Sequence, residues 1–579
     1  MEIGTGKSDI TFLKKGYSML GYGQIHNTAE YIKTRLYSRA MAFKSNGELF
    51  VFVCVDLCFV TPILKRKVMA CLEKKQPVLS LPPDRILLTA QHTHSGPSGF
   101  SEYGIYNLPT PGFHFDVVDF LGEKIAESIY VACNHLEPGT LNLASSSFAE
   151  DIPVGFNRSI DSYNSNPDVA KVSKNETFKA INRQMTLLLC KNSSGQPIGS
   201  INWFGVHTTS LSNDNHGLHF DNKGYACEYL EGDMKDVNHL AIFAQGSCGD
   251  VSPKFRYNPK QSASRGKYEG MYEEDDLSAA YNGKLQFEKA KEIINTIQCQ
   301  PELGALSEAS SIDSIISWVD FSNITIDAQR STYKACVGLA FLMGVKMDGP
   351  GAPPALRIFV QIAYPFFKYG DLLFACFRSP QKRKEIFKKY RVQGNKKIVI
   401  ESGDRKIMGT RNISKLFLPG WIDESIAAFK FYHKTGALDN ISWTPQVLPL
   451  QIVRLGRIIF IAIPFEITTT ACNRLKKAMS ELFNQEEVIV CPYSNAYAAY
   501  VPTPEEYQVQ SYEGGHCYFG QWTLDALILK CCELAIEFKK DPQNRNPQTE
   551  AQPLFTDAYL KKWTPYETAW WKRRKNTID

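Results

Sequence analysis

Residues 49–57 read L-F-V-F-V-C-V-D-L, almost without a polar break. A strand with no polar side has to be covered on both faces, so it belongs inside a layered sheet rather than at a wet surface. Residues 61–75 follow with a helical pattern and basic residues on one side, and 86–90 form a second short apolar run. Strand, helix, strand in that order predicts an α/β fold, with mixed β-sheets flanked by helices. In such folds the ligand site lies outside the carboxyl ends of the strands.

Further elements are expected along the chain. Helices are predicted at 116–135, from 221 to about 234, at 283–297 and at 520–539. Strands are predicted at 185–189, 198–206, 240–245, 314–326 and 487–490, with a hairpin-like pair at 451–464 around Gly456. Residues 256–285 are polar and read as a surface excursion, and 344–354, rich in Gly and Pro, as loop. Residues 355–377 are strongly apolar but interrupted by Arg357, Pro365, Lys368 and Asp371, which argues against a membrane span. A buried helix pair is the favoured reading there; an apolar surface lining a lipid-chain groove or touching a membrane face is the other. Residues 541–553 are expected as linker, followed by a tail with W-W-K-R-R-K.

Composition narrows the function. At 579 residues with 44% hydrophobic and 22% charged content, the chain has material for a large folded core. A net charge of +5 is too mild to indicate nucleic acid, and no nucleic-acid module is visible. The 15 cysteines show no C-x-x-C spacing, so neither a zinc ribbon nor a disulfide framework is implied. The first residues, M-E-I-G-T-G-K-S-D-I-T, hold no apolar signal segment. A cytoplasmic location, or export without a classical signal peptide, is expected.

Candidate chemistry gathers where strands end. The run 86–90 stops at His92-Thr93-His94, then S-G-P-S-G. The strand 198–206 stops at His207, and the pair 451–464 at Phe465-Glu466. Two neutral imidazoles and one carboxylate are a recurrent catalytic zinc set, and zinc acidifies a bound water and polarises a carbonyl. Ser252 follows a fourth strand end in G-S-C-G-D-V-S-P, which is not the G-x-S-x-G elbow. Arg158, in a polar loop, reads on its own as a solvated charge.

Five blocks then stand out in order: I-G-T-G-K-S-D-I-T at the start; Q-H-T-H-S-G-P-S-G at 91–99; N-W-F-G-V-H-T-T-S at 202–210 with D-N-K-G-Y-A at 221–226; G-D-V-S-P at 249–253; and P-F-E-I-T-T at 464–469 with A-Y-V-P-T-P-E-E-Y-Q-V-Q-S-Y-E-G at 499–514. With these blocks the chain resembles the neutral (neutral/alkaline, non-lysosomal) ceramidase family. The resemblance implies an N-acylsphingosine amidohydrolase that cleaves ceramide, or a related N-acyl sphingolipid, to a sphingoid base and a fatty acid. It implies one zinc ion per chain, held by His92, His207, Glu466 and Tyr500. It places Ser252 as the catalytic serine, with His94, Arg158 and Tyr512 around the reacting amide. A zinc amidase for another N-acylated substrate, or a catalytically weak lipid-binding relative, are the alternatives.

Two departures from the family pattern bear on the site. Lys254 replaces the usual asparagine after G-D-V-S-P, adding charge. Phe465 stands where glycine is typical, bringing bulk toward the metal. Residues 1–540 are expected to form the catalytic domain, with the 355–377 segment inserted. Residues 541–579 are too few for the family's C-terminal immunoglobulin-like domain. Peripheral membrane contact is expected through 355–377 or the basic tail, without a transmembrane segment.

Overall fold

The apolar run at 49–57 is the core of the Glu48–Val55 strand, and it is covered on both sides as its composition requires. Phe50, Phe52 and Cys54 face one apolar cluster, and Val51, Val53 and Val55 face another, the period-2 alternation of a strand. The computed structural model describes residues 1–75, 81–110, 112–262, 264–306, 311–413, 424–484 and 486–564.

That strand sits in an eight-stranded sheet. The order is Leu240–Gln245, Pro197–Phe204, Gln184–Asn192, Glu137–Ser147, Glu2–Asp9, Tyr37–Ser45, Glu48–Val55, Ile86–Ala90. Its interior is antiparallel, and only the outermost pair at each edge is parallel. A four-stranded sheet, Ile312–Asp320, Val447–Leu455, Ile458–Ala462 and Glu487–Cys491, also ends in a parallel pair. The two sheets meet face to face: Phe460 lies 5.7–6.1 Å, ring to ring, from Phe50, Phe52 and Trp203.

Helices close the outer faces. Pro62–Lys75 and Phe115–Asn134 cover one half of the large sheet, and Asp221–Asp233 with Asp275–Cys299 the other. Thr469–Leu482 and Thr523–Phe538 cover the small sheet. Glycine is required where the first strand meets its helix: a Cβ on Gly4 would stand 2.0 Å from the Ala132 carbonyl oxygen, and one on Gly6 2.1 Å from that of Ser128. The block I-G-T-G is therefore a packing device.

Four expectations need correction. The helix expected at 283–297 begins at Asp275; the acidic run read as solvated loop supplies its first turn, where carboxylates suit the helix dipole. The strand expected at 314–326 is Ile312–Asp320, followed by the short turn Phe321–Asn323. The buried helix pair expected at 355–377 is one helix, Pro354–Ala375, most of whose large apolar side chains are exposed. The 541–553 stretch is not a free linker. Arg545 pairs with Asp313 and the Trp318 carbonyl accepts from the Glu550 amide, while further on Trp563 is fully buried against Tyr432. The W-W-K-R-R-K run lies outside the described residues.

Candidate metal centre

The three parallel strand pairs all deliver their carboxyl ends to one place. Ile86–Ala90 runs into His92, whose amide donates to the Leu57 carbonyl at the end of the neighbouring strand. Pro197–Phe204 runs into His207, whose amide donates to Val251 O. Ile458–Ala462 leads to Glu466, and Glu487–Cys491 leads through Tyr493 and Tyr497 to Tyr500. Glu466 and Tyr500 face each other as register partners in a two-residue parallel pair. His92 has φ +78°, a left-handed conformation unusual for a residue with a Cβ, held here by the surrounding bonds.

The ligand atoms of His92, His207 and Glu466 all lie within 4.8 Å of one another, and all three residues are buried. His92 Nδ1 donates to the Cys58 carbonyl at 2.6 Å, and His207 Nδ1 to the Cys248 carbonyl at 2.6 Å. Each bond fixes the tautomer, so both Nε2 lone pairs point inward. They reach Glu466 Oε2 at 3.4 and 3.2 Å. Lone pairs facing a carboxylate repel it unless a proton or a metal ion stands between them. The electrostatics agree. Burial works against a charged carboxylate, yet the two histidines hold Glu466 well below its ordinary pKa. Burial also works against a proton on His92, but Glu466 and Cys58 outweigh it and push its pKa up to about 10. Burial and Arg158 keep His207 neutral. Positive charge is drawn to this spot, and the donor set fits a metal ion. Tyr500 Oη lies 3.4 Å from His207 Nε2. A second grouping, Cys58 with His92 and His94, is also close enough. It would need a thiol whose pKa burial raises.

Glu466 has two partners that sequence reasoning missed: Tyr493 donates to Oε2 at 3.1 Å, and Tyr497 donates to Oε1. Burial and the carboxylate push both phenols well up, so both remain donors. The tyrosine-dense stretch after residue 492 was the visible signal.

Ser252 lies beside this centre, fully buried, on the short strand Val251–Ser252 paired with Phe156–Asn157. Its turn approaches the Glu466 strand so closely that a Cβ on Gly249 would sit 2.8 Å from the Ile467 carbonyl oxygen. The Ser252 hydroxyl donates to Asp348 Oδ1 at 2.7 Å and accepts from the Lys254 amide at 3.1 Å. A hydroxyl has one proton and two lone pairs, so one lone pair is left for the site. Asp348 was not foreseen; it lies in the Gly/Pro-rich 344–354 segment, at the turn of a small hairpin. Burial works against its charge, but Arg158, His207 and Lys254 hold its carboxyl down at about 2.

Arg158, read alone as a solvated charge, is buried. It donates to Asp348 at 2.8 Å, Glu513 at 3.0 Å, the Gly249 carbonyl at 2.8 Å and Tyr500 Oη at 3.1 Å. It therefore joins the serine side of the site to the metal side. His94 sets Nε2 3.2 Å from His92 Nε2 and leaves Nδ1 without a hydrogen-bond partner. Burial, then His92 and His207, keep it neutral. The Tyr512 ring lies 5.5 Å from that of Tyr500, and burial pushes its phenol up. All eight residues named from the sequence thus share one region. Of the two departures, Lys254 adds charge beside the site as expected, where it helps hold Asp348 down, and Phe465 does not act as expected. Phe465 turns into the core against Phe321, 5.2 Å between ring centres, rather than toward the metal side. Lys254 is fully buried, with Nζ on Ser212 Oγ at 2.7 Å.

These features define an α/β protein whose buried, metal-type centre stands beside an oriented serine at the ends of two facing sheets. The chain belongs to the neutral ceramidase family: the model for the N-terminal part of neutral/alkaline non-lysosomal ceramidases matches residues 1–415 and 426–529. It is 31% identical over 550 residues to the neutral ceramidase of Pseudomonas aeruginosa, covering 93% of this chain and 72% of that protein. Neutral ceramidase A of Dictyostelium discoideum is 29% identical over 569 residues, with 92% and 72% covered. A solved ceramidase complexed with C2 superposes with a TM-score of 0.74 at 29% identity, over 95% of this chain and 77% of that one. The crystal structure of the Pseudomonas aeruginosa neutral ceramidase gives 0.72 at 28% identity, over 95% and 76%.

Proposed function

We propose that this chain is a zinc-dependent amidohydrolase that cleaves the N-acyl amide bond of ceramide, releasing a sphingoid base and a free fatty acid. The observation that carries the proposal is the pair of Nδ1-to-carbonyl bonds, which aim two imidazole lone pairs at one carboxylate. The names of the relatives support ceramide as substrate. His92, His207 and Glu466 would hold the metal, with Tyr500 as the fourth ligand. Zinc bound there supplies Lewis-acid charge to a carbonyl oxygen and to water.

The chain's own residues provide the rest. Hydrolysis breaks the C–N bond, gives hydroxyl to the acyl carbon and a proton to the amine nitrogen. Neutral His94, with a free ring nitrogen, carries protons between these atoms. Tyr512 remains a phenol and donates to the oxygen that gains charge, worth about 3–4 kcal/mol for one well-placed donor. Arg158 holds Asp348, Glu513 and Tyr500 in register. Ser252 has two available roles, covalent attack or positioning of the amide. In either role Asp348 orients the hydroxyl by accepting its hydrogen bond.

The test is metal analysis of the purified chain alongside release of fatty acid from a fluorescent ceramide. About one zinc per chain is expected, with turnover lost on chelation and regained on adding zinc. Full turnover without bound metal would sink the metal assignment. Bound zinc with cleavage of another N-acyl amide but not of ceramide would redirect the substrate.

A further inference from the structure

The Pro354–Ala375 helix presents its apolar side outward. Ile358, Ile362, Phe366, Tyr369, Leu373 and, just past its end, Phe377 recur at spacings of three and four and form one stripe, between 59% and 82% exposed. The opposite side is fastened down. Val360, Tyr364 and Ala375 are buried, Tyr364 donates to the Lys396 carbonyl at 2.9 Å, and Asp371 pairs with Lys389 at 2.6 Å. A surface helix ordinarily turns its apolar stripe toward the core. An exposed stripe of this length marks a contact with something apolar.

Charge identifies that contact. Residues 378–391, which hold most of the following helix Pro380–Gln393, carry seven basic side chains and only Glu385 against them; six of the seven remain once Lys389, buried on Asp371 and Glu401, is set aside. Lys382, Arg383 and Lys384 are exposed and form no ion pair among the described residues. The chain's other aromatic-basic run, W-W-K-R-R-K at 570–575, has the same sign and is no electrostatic match. No helix among the described residues is long and apolar enough to cross a membrane. An apolar stripe bordered by cations, lying along a surface rather than through it, fits the interface of an anionic bilayer.

We propose that the 354–377 stripe and the basic 378–391 segment dock this protein onto anionic lipid surfaces, the stripe entering the acyl boundary and the basic side chains meeting phosphate headgroups. The surface is continuous with the site. The hairpin that carries Asp348 leads directly into this helix, and Phe341, just before that hairpin, stacks on His516 at 4.1 Å and on Tyr512 at 5.5 Å. The docking helix is thus joined through the chain and through Phe341 to the serine side of the site. The inference stands apart from the hydrolase reading, because vesicle binding is measured without turnover.

The experiment is co-sedimentation of the full chain with vesicles of phosphatidylcholine alone and with phosphatidylserine mixed in, at low and high salt. Binding is expected to strengthen with phosphatidylserine and weaken with salt. The double variant Phe366→Glu/Leu373→Glu should lose binding by at least about ten-fold. Charge reversal at Lys382, Arg383 and Lys384 should lose about five-fold or more per residue, on the anionic vesicles only. Both variants should keep wild-type hydrolysis of a water-soluble short-chain amide, which reports that they are folded. Absence of vesicle binding by the wild type, or binding unchanged in both variants, would overturn the proposal. So would a self-associating wild type whose dimer is abolished by Phe366→Glu while vesicle binding is not, since the stripe would then face a second copy of the chain.

Discussion

The candidate metal centre and the Pro354–Ala375 helix invert each other. At the centre, charged and polar groups are buried: Glu466, Arg158, Asp348, His92 and His207 have almost no contact with solvent. At the helix, phenylalanine and leucine stand in water. Each arrangement is unfavourable by itself, and each has its own compensation. Every buried charge at the centre has at least two oriented partners, which offsets desolvation only when the geometry is good. The exposed stripe has no partner within the described residues. The comparison teaches that function here sits where the usual segregation of polar from apolar fails, in one case answered inside the molecule and in the other left for the outside.

That contrast can be broken from either side. The largest effect is expected at the centre itself. His207→Ala should remove the bound metal and lower turnover by at least about 10³-fold; full metal content in the variant would refute its place as a ligand. Asp348→Asn comes next. It keeps the shape but removes the charge that accepts the Ser252 proton, and turnover should fall roughly 10²-fold with metal content and KM little changed. Equal loss in Asp348→Asn and Asp348→Ala, with KM rising in both, would reduce Asp348 to a structural role. The smallest effect is expected at the stripe. Phe366→Ser should shift stability by no more than about 0.5 kcal/mol in a urea melt, because the side chain leaves water for nothing inside the chain. A loss of several kcal/mol would mean that the stripe is packed after all.

Much of the layered fold was legible because buried strands announce themselves. The runs at 49–57, 86–90 and 240–245 have no polar face and hence one possible environment. Periodicity is weaker evidence for a helix at 355–377: apolar residues every three or four positions define a stripe but not the direction in which it points, and the favoured burial was the wrong direction. Strand-end histidines and Glu466 were visible because each follows directly on a buried run. Asp348 was not, because it reaches the centre from a turn whose local sequence carries no period, and Tyr493 and Tyr497 were signalled only by a tyrosine-dense stretch. Arg158 shows the limit most clearly. Nothing near it in sequence predicts burial, and its guanidinium donates its four hydrogen bonds to residues 249, 348, 500 and 513.

The parallel pairs at the sheet edges have one more consequence. His92 and Ser252 depend on the larger sheet, Glu466 and Tyr500 on the smaller, and the two groups touch only when the facing layers have closed. Pairings between such remote stretches form slowly. The site is therefore complete only once the two layers have met. A chain in which only one layer has formed would be inert.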